Sequence, residues 1–163
     1  MFEWPEEKPR EHFDPSDDGF THLNIYSKAN TKLGRDLSNF AYYPFTLEPY
    51  GRFASVEGFW YWYLTGQKHD DLRTLSGSKA KKVGQGYNGD REESVLSEET
   101  IGVMQDAMVA KVMQHPELSD RLKNSTLPFT HYYVYGGKVV MVQGSEWFND
   151  TFENIRTALR DNT

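Results

Sequence analysis

A run of mostly apolar and aromatic residues, FASVEGFWYWYL at 53–64, constrains the fold of this chain more than any other feature. Ser55 is a typical N-cap and Gly66 a typical helix end, so the run predicts a helix between them. Its single charge is Glu57, whose neighbours one helical turn away are all apolar or aromatic. Such a carboxyl group is either a general acid or base with a raised pKa at the edge of a cleft, or a side chain bonded to nearby backbone.

Composition limits the function classes. The chain has 163 residues, enough for one domain with a real core, and its formal net charge of -6 argues against non-specific coating of nucleic acid while allowing a local basic groove. Cysteine is absent, which excludes disulfides and thiolate chemistry and suits a cytoplasmic location. No apolar stretch is long enough for a membrane span, and the first residues lack signal-peptide features, so no membrane contact is expected.

The pattern along the rest of the chain predicts several helices and a few short extended segments. Residues 1–19 are interpreted as a flexible lead-in and 20–163 as the domain itself. Extended segments are predicted at 21–27, 43–53 and 130–142, the last around the hairpin signal Gly136-Gly137. Further helices are predicted at 70–75, 78–83, 97–114, 116–123 and 145–160, with loops at 30–40 and 84–95.

Polar side chains in the predicted 30–40 loop are candidates for ligand binding. Ser38 and Asn39 stand between two apolar residues, and an amide there suits a ribose or a base edge. Both residue types also form turns with their own backbone. Arg35 follows Gly34 and is either a phosphate fork or an ordinary surface arginine.

Lysines are the other candidates. Lys79, Lys81 and Lys82 cluster around Ala80, as the cationic wall of a phosphate pocket or as a solvated helix face. Lys111 lies at the edge of the Met-rich face of the 97–114 helix, either snorkelling to solvent or paired with Glu57. The five histidines show no helix-spaced pair and no phosphate-binding glycine motif is present, so neither a metal nor a cofactor is predicted.

Five segments in a fixed order resemble the NADAR (YbiA-like) family. They are GRDLSNF at 34–40, PFTL at 44–47, SVEGFWYW at 55–62, AKKVG at 80–84 and MQDAMVAKVMQHPEL at 104–118. The resemblance covers roughly residues 23–148. It is to a phage-type branch, in which Glu-Gly-Phe-Trp replaces the Glu-His-Tyr found elsewhere in the family.

The resemblance implies an α+β fold, mainly helical with a small antiparallel sheet, and an N-glycosidase activity. Matched residue by residue, Glu57 corresponds to the family's acidic residue and Lys111 to its helix lysine, and both are expected to be catalytic. Asn39 and Lys81 correspond to the family's loop asparagine and its Ala-Lys lysine. The other predicted substrate-binding residues are Arg35, Ser38, Phe40, Trp60, Tyr61 and Lys79.

The implied partner is an ADP-ribose-type nucleotide, and the preferred reaction is removal of ADP-ribose from guanine in DNA. Hydrolysis of riboflavin-pathway ribosylamino intermediates is a second enzymatic interpretation. A third is a non-enzymatic ADP-ribose-binding module, because Gly58 stands where the family usually has a histidine.

Overall fold

A computed structural model describes residues 13–94, 97–142, 144 and 146–162. Within this part of the chain the protein is mainly helical with short strands, which confirms the predicted α+β class. The helices are α1 (Lys32–Leu37), α2 (Val56–Leu64), α3 (Gly77–Gly86), α4 (Glu98–Met113), α5 (Pro116–Asn124) and α6 (Glu146–Asp161). The strands are β1 (Leu23–Asn24), β2 (Phe45–Leu47), β3 (Gly51–Phe53), β4 (Phe129–Thr130), β5 (Tyr132–Tyr135) and β6 (Lys138–Met141). Short 3-10 turns cover Pro15–Asp17, Asp70–Thr74 and Asn88–Asp90.

The strands form three separate pairs instead of one small antiparallel sheet. One is the predicted hairpin of β5 with β6, and another joins β2 to β3 within the extended segment predicted at 43–53. The third joins β1 to β4 in parallel, with Leu23 beside Phe129. A parallel partner far along the chain leaves no turn signal in the sequence, and for that reason the prediction contained only antiparallel pairs.

Helix α4 lies at the centre and contributes to two apolar clusters. Met108 and Val112 belong to the cluster formed with α5, α6 and β1. Met104 and Ala107 belong to the cluster formed with α2 and the β2–β3 hairpin. Trp147, at the start of α6, packs against both clusters. The shared helix and the shared tryptophan make the described residues one domain.

Helix α2 begins and ends as its sequence predicts. The Ser55 hydroxyl accepts a hydrogen bond from the Gly58 N–H at 3.1 Å and donates to the carbonyl of Leu75 at 2.8 Å. Gly66 follows the helix with a φ of +93°, the left-handed conformation that favours glycine. Phe59 packs edge-on against Phe53, with ring centroids 4.9 Å apart. The aromatic residues therefore build the core that holds α2 in place.

The predicted loop at 30–40 is wrong, because α1 occupies its centre. Thr31 caps this helix, with its hydroxyl accepting from the Gly34 N–H at 2.9 Å. Gly34 is needed for packing, since a Cβ there would lie 2.1 Å from the carbonyl oxygen of Asn24. Glycine, serine and asparagine in a short segment were interpreted as turn formers, whereas tertiary contact selects a helix.

Three other boundaries differ from prediction. The strand expected at 21–27 is reduced to the two residues of β1, and the loop expected at 84–95 starts within α3. The flexible lead-in predicted at 1–19 falls mostly on residues 1–12, outside the described residues; Asp18 is buried and accepts from the backbone N–H groups of Asn24 and Asn30. No helix in the described ranges combines the length and apolar character needed to cross a membrane.

Candidate functional site

A cleft of about 420 Å³ is lined by the start of α2, the loop after α1 and the β5–β6 hairpin. Its volume lies in the range of small-molecule sites. The structure brings most of the predicted site residues to this one cleft. Those that line it are Ser38, Asn39, Phe40, Glu57, Trp60, Tyr61 and Lys81.

Glu57 lies in the first turn of α2 and lines the cleft, with its side chain partly buried. No described residue donates a hydrogen bond to its carboxyl group, so the alternative of a backbone-bonded carboxyl is not found. Burial raises the pKa of Glu57 to about 7, and the positive charge of Lys81 acts in the opposite direction. Both the protonated and the ionised forms are therefore populated near neutral pH, as acid–base catalysis requires.

The AKKVG segment positions Lys81 by packing α3 against α2. Ala80 and Gly84 are both buried on the side of α3 that faces α2. A Cβ on Gly84 would lie 2.1 Å from the ring of Tyr61, so only glycine admits that ring. Lys81 projects from the same helix into the cleft lining. The spacing of alanine, lysine and glycine thus has a packing reason as well as a chemical one.

A second cation, Lys28, also lines the cleft, although its isolated position in the sequence gave no signal. Neither Lys28 nor Lys81 forms an ion pair with any described residue. In a chain of net charge -6, these two lysines give the cleft local positive charge for an anionic ligand. Lys79, in contrast, is exposed and does not contribute to the lining, and Lys82 is also exposed.

Lys111 does not snorkel and does not pair with Glu57, so both interpretations of this residue are wrong. Its side chain is 1% exposed, and its ammonium donates to the carbonyl of Ser38 at 2.8 Å. The ammonium also lies 5.6 Å from the ring centroid of Tyr43. Burial lowers the pKa of Lys111 to about 7, and Asp36 acts to raise it. Lys111 therefore holds the loop after α1, residues 38–40 (the cleft loop), from the protein interior and does not itself line the cleft.

Arg35 also lies outside the cleft. It belongs to the last turn of α1, is exposed, and donates through Nη1 to the carbonyls of Ala29 at 2.8 Å and Asn30 at 3.1 Å. These bonds fix the segment before α1. Because the segment is helical, the Arg35 side chain bonds to residues that precede α1. It does not line the cleft, to which the loop prediction had assigned it.

An aromatic wall opposite α2 was not predicted. Tyr133 packs against Tyr26 with ring centroids 5.4 Å apart and against Tyr135 at 6.0 Å. Burial raises the pKa of Tyr133, and the nearby Glu57 adds to that effect. His131 continues the wall on the same side of the cleft. Alternate residues of a strand share a face, so the period of two in this segment was the available signal.

Asn39 carries an unusual acceptor. Its side-chain Oδ1 is buried and receives no hydrogen bond within the part of the chain that the structure describes. A buried polar atom without a partner is rare and costly in a folded protein. The backbone of the same loop is held by hydrogen bonds, since the Phe40 N–H donates to the Ser38 hydroxyl at 3.2 Å.

The described residues contain no group of three or more acidic or histidine side chains suited to a metal ion.

No family model matches the chain, and no curated protein matches it. Among solved structures, the chain is similar to the E. coli protein YbiA, determined by NMR, with a TM-score of 0.65 and 20% sequence identity. The match covers 87% of this chain and 86% of that chain. At this identity the similarity concerns the fold, and it agrees with the order of segments from which the resemblance was drawn. The protein therefore has a YbiA-like fold.

Proposed function

We propose that this protein is an N-glycosidase that hydrolyses the N-glycosidic bond of an ADP-ribose or ribosyl-phosphate adduct. The observation that carries the proposal is the state of Glu57. Its carboxyl lines a ligand-sized cleft, has no hydrogen-bond donor among the described residues, and has a pKa raised to about 7. A carboxyl group with no structural partner in such a position is a typical catalytic residue.

The reaction needs little more than such a group and a positioned ligand. As the bond between the anomeric carbon and the base nitrogen breaks, positive charge develops on the sugar, and a nearby carboxylate stabilises it. Water forms the new bond to the anomeric carbon and gives a proton to the Glu57 carboxylate. The base leaves with the bonding electron pair and takes a proton, either from Glu57 or from solvent.

The remaining cleft residues fit a phosphorylated nucleoside. Lys28 and Lys81 have no ion-pair partner among the described residues and can neutralise phosphate oxygens. Trp60 is partly exposed in the cleft and offers a ring face to a base or a ribose, while Tyr61 is more deeply buried beside it. The preferred substrate is ADP-ribose on a guanine of DNA, where a flipped base needs only a local basic patch.

A substrate panel tests this function. Wild type and Glu57→Gln are incubated with ADP-ribosylated DNA and with riboflavin-pathway ribosylamino phosphates, and the released base and sugar are measured by mass spectrometry. We expect release from the DNA by wild type and at least a hundredfold slower release by the variant, a typical contribution of acid–base catalysis. Glu98→Gln, an exposed carboxyl in the first turn of α4, is the matched control and should remain fully active.

Each other outcome contradicts a defined part of the proposal. Turnover of the ribosylamino phosphates alone would replace the substrate class and keep the chemistry. Binding of ADP-ribose in calorimetry without any turnover would favour the non-enzymatic module. Undiminished activity of Glu57→Gln, with its fold retained, would remove Glu57 from the mechanism.

A further inference from the structure

His131 is held by contacts that leave one ring nitrogen available. Its Nδ1 lies 2.7 Å from the carbonyl oxygen of Ile25. Its ring stacks on Phe148 with centroids 4.4 Å apart and meets Tyr133 edge-on at 5.7 Å. These three contacts fix the orientation of the ring in the aromatic wall of the cleft.

The contact with Ile25 also determines the tautomer. A carbonyl oxygen only accepts, so the hydrogen on Nδ1 makes this bond. Burial lowers the pKa of His131, which keeps the ring neutral. In a neutral ring with the proton on Nδ1, Nε2 carries a lone pair. No described residue donates to Nε2, and the ring lines the cleft, so Nε2 is the atom that a ligand can reach.

We propose that His131 is a specificity-determining residue whose Nε2 accepts a hydrogen bond from a donor group of the bound nucleoside. This inference rests on the proposed function, because it assigns a role in the same cleft. The donor is a base N–H group or a ribose hydroxyl. The surrounding rings of Tyr26, Tyr133 and Tyr135 favour a planar base, since aromatic faces stack on heterocycles.

An acceptor of this kind selects among ligands. A bound nucleoside without the matching donor would leave Nε2 desolvated and unpaired, which is more costly than leaving it in water. The buried Asn39 Oδ1, which receives no hydrogen bond from any described residue, is a second acceptor in the same cleft. The cleft should therefore discriminate between nucleotides that differ by one N–H or O–H group.

Calorimetric titration of the full chain with GDP and with analogues that each lack one donor tests the proposal. The analogues are IDP, 1-methyl-GDP, 2′-deoxy-GDP and 3′-deoxy-GDP. We expect one analogue to bind wild type about tenfold more weakly than GDP, the usual effect of one buried hydrogen bond. His131→Phe keeps an aromatic ring without the acceptor, and in it that difference should disappear. His131→Gln can present an amide oxygen near the Nε2 position and should restore part of it.

The matched control is His69→Phe, because His69 stacks on Tyr87 at 3.7 Å and does not line the cleft. It should discriminate as wild type does. Equal weakening of GDP and every analogue in His131→Phe would indicate a structural effect and overturn the proposal. Equal affinity of wild type for all five nucleotides would overturn it without any variant. The readout is binding, so loss of this inference is distinguishable from loss of the N-glycosidase activity, which is measured by turnover.

Discussion

The backbone N–H of Glu57 donates to the carbonyl oxygen of Asn39 at 2.9 Å, which ties the first turn of α2 to the cleft loop. The preceding carbonyl, that of Ser38, receives the Lys111 ammonium at 2.8 Å from α4. The following carbonyl, that of Phe40, accepts from the first N–H of α3 at 2.8 Å. Three consecutive carbonyls are thus held by three different helices. The loop is fixed before any ligand arrives, and this preorganisation is what a catalytic site requires.

The ionised form of Glu57 should lower the stability of the folded protein. Its pKa is 4.5 when unperturbed and about 7 in the folded state, so the folded protein keeps this proton over a range in which the unfolded chain has lost it. The free energy of unfolding therefore falls as the pH rises from 4.5 to 7, by roughly 3 kcal/mol for this group. Above pH 7 the whole loss is present.

Glu57→Gln removes that loss because the amide stays neutral. We expect the variant to be more stable than wild type at pH 8 and nearly equal to it at pH 4.5. The difference in free energy of unfolding should grow as the pH rises between these values. Urea unfolding at these pH values measures the difference. Glu98→Gln is the control and should show no such gap. A constant difference across the pH range would contradict the raised pKa of Glu57.

Lys111 has the opposite pH dependence. Its pKa falls from 10.5 to about 7 on folding, so the folded state releases a proton that the unfolded chain still holds between these values. Stability should rise with pH across this window. Lys111→Met should abolish that rise and should also weaken nucleotide binding, because the Ser38 carbonyl loses the ammonium donor and keeps only the Ala41 N–H.

Urea unfolding of wild type and Lys111→Met at pH 6, 8 and 10 measures the slope, with the exposed Lys79→Met as control. Parallel slopes for wild type and Lys111→Met would show that the buried lysine does not titrate in this window. Weaker nucleotide binding by Lys111→Met, with an unchanged pH dependence of the free energy of unfolding, would show that Lys111 positions the cleft loop without titrating in this window.

Much of the site followed from local sequence. Glu57, Trp60 and Tyr61 came from the aromatic helix, whose cap and end are both where the sequence places them. Ser38, Asn39 and Lys81 came from their residue types and positions and Phe40 from the resemblance, and the structure brings them to the same cleft. In each case neighbours along the chain determine the local conformation, and packing of α3 on α2 then aligns the segments.

The errors all concern long-range packing. Arg35 was assigned to the site because α1 was interpreted as a loop. Lys111 was expected either to snorkel or to pair with Glu57, because its place at the edge of an apolar helix face does not reveal its partner. Tyr133 and His131 were missed for the same reason. The hairpin was correct, but nothing in its sequence indicates which of its faces lines the cleft, since the contact of His131 with Ile25 crosses most of the chain.

Gly58, where the resemblance predicts a histidine, is a glycine for a packing reason. A Cβ there would lie 2.4 Å from the carbonyl oxygen of Leu72 and 3.1 Å from that of Leu75. Backbone atoms cannot yield as a flexible side chain can, so Gly58→Ala should destabilise the protein by roughly 1–3 kcal/mol, the usual range for overpacking a core. Gly58→His should be at least as harmful and should not increase activity.

Gly102→Ala is the matched control for Gly58→Ala, because Gly102 is also helical and has open space around it. It should stabilise the protein by about 0.5–1 kcal/mol through helix propensity. Chemical denaturation of the two variants beside wild type gives both values. Equal effects of the two substitutions would contradict the close approach of α2 to the Asp70–Thr74 turn.

Lys81 should set the pH at which Glu57 works. Its charge lowers the pKa of Glu57, so Lys81→Gln should raise that pKa further. If the carboxylate is the active form, the rising limb of the pH–activity profile moves to higher pH, and activity at pH 7 falls roughly threefold, as expected for a partly solvated charge pair. Activity at pH 9 should recover to the extent that Lys81 does not also bind phosphate.

Lys79→Gln removes the same charge from an exposed position two residues away, and its pH–activity profile should coincide with that of wild type. A shift of equal size in both variants would indicate a general effect of net charge, whereas a shift confined to Lys81→Gln would locate the interaction in the cleft.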